Sequence, residues 1–188
     1  MAALTVVAVM VVFGAGQRGT AIALRITARW SFVLFWLAYA GGALARLFGS
    51  RFAGLARHGR DLGLAFASAQ LIHVGLVMWL YAVSPGSGGA MLLFWAGIAC
   101  TYLLALFSLP KLQHALGQRL WKLVCAMALD YIALVFAADF ILAPLGAAGL
   151  AHYPLSYVPF ALMLIAGFAL RAAASAQRYL TTDPSAVL

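Results

Sequence analysis

Three ionisable residues of this 188-residue chain, His73, Asp130 and Asp139, sit inside long runs of apolar side chains. An ionisable group in a hydrocarbon setting costs about 2.5–3.5 kcal/mol on insertion scales, so each marks a place with a specific task. His73 admits two readings. One is a neutral imidazole bonded to a neighbouring helix. The other is an axial ligand, whose nitrogen suits the iron of haem or the magnesium of a chlorophyll-type ring. Ala69 precedes His73 by four residues, on the same helical face, with Ser68 beside it. A small side chain there would let a flat macrocycle lie against the helix. Asp130 and Asp139 are nine residues apart, so at about 100° per residue they face opposite ways and form no carboxylate pair unless the helix is distorted. Asp130 reads as a buried hydrogen-bonding group or an arginine partner, and Asp139 as a carboxylate reaching water near a helix end.

The remaining reactive groups are dispersed. His58 and His114 fall in basic loops, and His152 in the connection between the fifth and sixth apolar segments, where a surface position is expected. Cys100 and Cys125 both lie in apolar runs, which argues against a disulfide framework. Neither HExxH nor CxxC is present. Without GxGxxG or a Walker motif, the chain has no flavin or nucleotide domain of its own.

The elements that must position these groups follow from composition. Apolar residues are 66% of the chain and charged residues 9%, with mean hydropathy +1.03. A soluble domain carries about 25% charge. So little polar surface cannot coat a water-facing globule, and an integral membrane protein is expected. Six apolar segments, 2–16, 26–48, 62–83, 90–109, 123–143 and 155–170, predict a single domain over 1–188, an all-α bundle of six transmembrane helices. Strand alternation is absent, which excludes a barrel reading. Pro154 and Pro159 stand near the start of the sixth segment, where a missing N–H is tolerated.

Twelve Lys and Arg face four Asp and no Glu, a net charge of +8. Nine of the twelve (Arg46, Arg51, Arg57, Arg60, Lys111, Arg119, Lys122, Arg171 and Arg178) fall on one predicted side, which the positive-inside rule makes cytoplasmic. Six spans then place both termini in the cytoplasm. Arg18, Arg25 and Arg29 fall on the other side, against the rule. Anionic lipid headgroups are the natural partners of such residues, and no basic helix or stacking platform points to nucleic acid. Ala38 and Gly42, four apart, would permit close helix contact.

Two stretches carry a family resemblance. Arg60-Asp61-Leu62-Gly63-Leu64, followed by His73, resembles the opening of the third helix in the ferric-reductase-like transmembrane domain family. Ser108 and then Leu116-Gly117-Gln118-Arg119-Leu120-Trp121 resemble the approach to its fifth helix. Within that family the nearer likeness is to haem-binding membrane subunits of the bacterial protein-methionine-sulfoxide reductase system. The resemblance covers about residues 20–145, and the six-helix layout agrees. It implies a multi-pass protein of the bacterial inner membrane, with His73 as a haem ligand. Where relatives carry further histidines, this chain has Val124 or Cys125, and Ala137 or Ala138. Cys125 as a thiolate ligand, or His152 folded inward beneath an outer haem, are the available substitutes.

The resulting expectation is a degenerate, non-catalytic member of the family, an accessory or assembly subunit of a larger membrane complex, plausibly one that transfers electrons. The alternatives are a haem b electron carrier, which needs a second ligand or a five-coordinate iron, and a chlorophyll-type pigment-binding subunit with His73 as single axial ligand. Transport is disfavoured, since no inverted repeat or broken-helix pair is evident.

Overall fold

The computed structural model describes residues 2–14, 16–83, 91–109, 112, 117–148 and 154–182. Every described element is helical: α1 Ala2–Phe13, α2 Gln17–Phe48, a 3₁₀ turn Gly49–Phe52, α3 Ala53–Arg57, α4 Gly59–Val83, α5 Met91–Phe107, α6 Gln118–Ala137, a π-helical segment Ala138–Leu142, α7 Ala143–Ala148 and α8 Val158–Thr182. Four stretches are long and apolar enough to cross a membrane: Gln17–Arg57, Gly59–Val83, Gln118–Ala147 and Val158–Arg178. Leu93–Phe107 is a shorter apolar helix. The chain is thus an all-helical protein of multi-pass membrane character.

Several helices outrun their apolar cores. α2 begins at Gln17, nine residues before the predicted Ile26. Hydropathy drops at Arg18 and Arg25, yet arginine is a good helix former and the turns continue past the greasy stretch. Gly14, at φ 80°, separates α1 from α2, and Gly49, at φ 73°, ends α2; both take the left-handed conformation that closes a helix. α8 runs to Thr182 rather than Leu170 because residues 172–176 are mostly alanine, the strongest helix former. Pro159 is its second residue, where no intrahelical donor is needed. The predicted turn at 85–89 lies outside the described residues, as do Lys111, His114 and His152.

Two compact units divide the chain. The first comprises residues 1–34 and 63–135. Here α2 buries Thr20, Ala23, Thr27 and Ser31, spaced three or four apart along one face. Thr20 and Thr27 donate to the carbonyls of Gly16 (3.0 Å) and Ala23 (2.9 Å) in the preceding turn, so their hydroxyls can leave water without an orphaned donor. Ala23 packs with Leu76 and Val9, and Thr27 meets His73. Numbers rise on α2 as they fall on α4, so the two helices are antiparallel. On α5, Gly97 admits Val135 so closely that an added Cβ would stand 3.1 Å from its Cγ2. Tyr131 donates to the Leu93 carbonyl at 3.3 Å.

The second unit comprises residues 35–62 and 136–188. Its core is aromatic. Tyr39 stacks on Phe35 (5.2 Å between centroids), Phe35 meets Phe136 (5.2 Å), Phe136 lies parallel to Phe140 (5.9 Å, 7°), and Phe140 stacks on Phe160 (5.1 Å, 19°). Phe168 meets Tyr39 edge-on, and the Arg171 guanidinium lies over the same ring at 4.4 Å. The Trp36 indole N–H donates to the Met163 carbonyl, and its ring passes over Gly167. Trp36 thus meets 163 and 167, Tyr39 meets 167, 168 and 171, and Arg46 reaches the Ala174 carbonyl at 3.5 Å. Numbers rise together, so α2 and α8 run parallel. The close contact expected at Gly42 is not formed, since a Cβ there would meet nothing within 4 Å. Its neighbour Gly41 makes one instead, against Leu55 of α3.

Large apolar side chains remain exposed along several of these helices, among them Leu123, Leu134, Leu142 and Leu162. In water such a surface would drive aggregation. In a bilayer it is the face that lipid covers, and helices associate by close packing and hydrogen bonds instead of by hydrophobic exclusion.

Candidate functional site

His73 lies near the middle of the Gly59–Val83 span and is half-buried. Its Nδ1 is 3.0 Å from Thr27 Oγ1. The proton on that contact can be assigned. Thr27 Oγ1 also stands 2.9 Å from the Ala23 carbonyl and 3.1 Å from that of Leu24. Oxygens so close need a proton between them, and the hydroxyl has one to give. Thr27 therefore donates to its own helix and accepts from His73. The imidazole is thereby assigned as the Nδ1–H tautomer, with an unprotonated lone pair on Nε2.

This arrangement serves two ends. It joins α2 to α4 through a polar contact within the apolar layer. It also resembles the hydrogen bond that orients a metal-ligating histidine, in which the distal N–H is held and the other nitrogen is free to coordinate. Nε2 has no hydrogen-bond partner among the described residues.

The surroundings limit what a ligand could do there. Ala69 is buried, its methyl covered by protein, so a flat ring would have to approach the imidazole from elsewhere on its edge. Ser68 is exposed and donates to the Leu64 carbonyl at 2.9 Å. Among the described residues no group of three His, Cys, Asp or Glu could hold a metal ion, and no second imidazole lies in a span. Bis-histidine haem ligation does not fit these residues. His152, the proposed second ligand, lies outside them.

The other singled-out groups stand apart from His73. His58, just before α4, and Asp61, in its first turn, pair at 3.2 Å on an exposed surface, an i,i+3 contact of small energetic weight. Cys100 and Cys125 are half-buried and not joined in a disulfide. Asp130 is half-buried on α6, while Asp139 is exposed and belongs to the π segment. The helix distortion required for the two aspartates to depart from opposite faces thus falls at Asp139 itself.

Thr27 is the partner that sequence reasoning did not find. A threonine inside an apolar helix was the available signal, but pairing it with His73 requires the α2–α4 register.

No family model matches the chain, no curated protein matches it, and no solved structure matches it.

Proposed function

We propose that the chain is a ferric-reductase-like, six-span accessory subunit of a larger membrane complex in the bacterial inner membrane, kept for assembly and not for catalysis. The observation that carries this reading is the Thr27–His73 bond. It gives the half-buried imidazole a structural task, tying two helices together, in a chain whose other family ligand positions hold Val124 or Cys125 and Ala137 or Ala138. The helix directions support the topology. Parallel α2 and α8 require an odd number of crossings between them, in keeping with α4, α5 and α6 as the three; the reading adds α1 as the sixth span, with both termini on the side of the basic loops. The bilayer and other membrane subunits are the partners, and nucleic acid is not.

The test is the absorbance spectrum of the native complex with wild-type chain and with His73→Gln. The expected result is an unchanged visible spectrum and a less stable complex. A Soret band that disappears with His73→Gln would refute the non-catalytic assignment.

A second reading is favoured by the tautomer. Nε2 is the nitrogen that a single-ligand tetrapyrrole would use, as a five-coordinate haem b in an electron carrier or as a chlorophyll-type pigment. Bound haem would supply one-electron chemistry. The chain's own part would be to hold Nδ1–H on Thr27 and so aim Nε2. Solvent extraction that yields neither haem nor chlorophyll from the purified complex eliminates it.

A further inference from the structure

Asp139 is the second residue of the π segment Ala138–Leu142, and it is exposed. Its outward position is held from behind. The next residue, Phe140, is buried, stacked between Phe136 and Phe160 and in contact with Tyr157. Turning the carboxylate inward would pull Phe140 out of that stack. π turns recur where a helix must present a side chain that regular α geometry would place elsewhere. Asp139 makes no hydrogen bond or ion pair among the described residues.

The depth of the carboxylate makes its exposure unusual. Lys122 marks the basic end of the Gln118–Ala147 span. Asp139 is about 26 Å further along the helix at 1.5 Å per residue, still inside a hydrocarbon layer about 30 Å thick. An aspartate has no long stem with which to snorkel. Its Cα–Cβ bond also tilts toward the helix N-terminus, which here means toward the bilayer centre and away from the nearer headgroups. Among the described residues this exposed acid therefore has no partner, whereas intramembrane acids are ordinarily paired.

We propose that Asp139 is a docking contact for a partner transmembrane helix that carries a lysine or arginine at the same depth. This rests on the accessory-subunit reading and names the chemistry of the subunit it would join. A long basic side chain on the partner can reach an acid that cannot itself reach out. The exposed Leu142, at 64%, provides apolar surface one turn along for the same helix to cover.

The experiment uses the full chain in lipid nanodiscs and two synthetic polyleucine transmembrane peptides, one carrying a single lysine about four residues inside its outer end and one carrying none. Association is read by energy transfer. The expected result is about tenfold tighter binding of the lysine peptide, a difference that falls below about twofold with Asp139→Asn. Asp139→Lys is the second variant, and it should reverse the preference toward a peptide with one aspartate. Equal binding of the two peptides to the wild-type chain would overturn the proposal. So would modification of Asp139 by a water-soluble carbodiimide as fast in nanodiscs as in detergent, which would make it an interfacial carboxylate. A native complex that survives Asp139→Asn intact removes this contact while leaving the accessory-subunit reading standing.

Discussion

Gly167→Ala should destabilise the protein, although the same change at most helix interiors stabilises. The added Cβ would lie 3.0 Å from Trp36 Nε1 and 3.4 Å from Tyr39 Cδ1. The indole cannot retreat freely, because its N–H is held by the Met163 carbonyl one turn before Gly167. Overpacking of this kind costs about 1–3 kcal/mol. Losing the hydrogen bond adds about 0.5–1.5 kcal/mol. Against these stands a gain of about 1 kcal/mol in helix propensity. The net expectation is roughly 0.5–3.5 kcal/mol of destabilisation. Gly42→Ala is the internal control. Nothing lies within 4 Å of its new Cβ, so only the propensity gain remains and the sign reverses. Denaturant unfolding in mixed micelles, followed by tryptophan fluorescence, compares the two. Trp36→Phe removes the obstructing N–H, and in that background Gly167→Ala should cost at least about 1 kcal/mol less. Gly167→Ala as harmless as Gly42→Ala, or strict additivity with Trp36→Phe, would refute the reasoning.

Thr27→Val should cost about 0.6 kcal/mol and no more than about 1.7, the range for interhelical hydrogen bonds in membranes. Thr27→Ser should keep the bond, and nitrogen-15 spectra of labelled histidine should report the Nδ1–H form of His73 in wild type and Thr27→Ser but a tautomer mixture in Thr27→Val. Phe140→Ala should cost about 3–5 kcal/mol in the same unfolding assay, because it empties the centre of the aromatic stack. Leu142→Ala, two residues away on the exposed surface, should change stability by under about 0.5 kcal/mol.

Hydropathy located the long apolar helices, because the contrast between apolar runs and polar breaks is large in this chain. It misplaced their ends where membrane and helix part company, at Gln17 for α2 and at Thr182 for α8. Helix formation follows backbone propensity, which arginine and alanine satisfy outside the hydrocarbon as well as within it. His73 was legible as a buried imidazole, since its position in an apolar run is local information. Its bond to Thr27 was not, because residues 46 apart meet only through tertiary register. The π turn was hidden for a related reason. It accompanies the stacking of Phe140 on Phe160, a pairing that no local pattern encodes.

The pairing of α2 with α8 has a consequence for biosynthesis. α2 precedes α8 in the chain, with α4, α5 and α6 between them, so Trp36 and Tyr39 wait for their cover until α8 has been inserted. During that interval the two aromatics lack the cover that α8 supplies. Chains cut short before Val158 should therefore be the ones that membrane proteases clear.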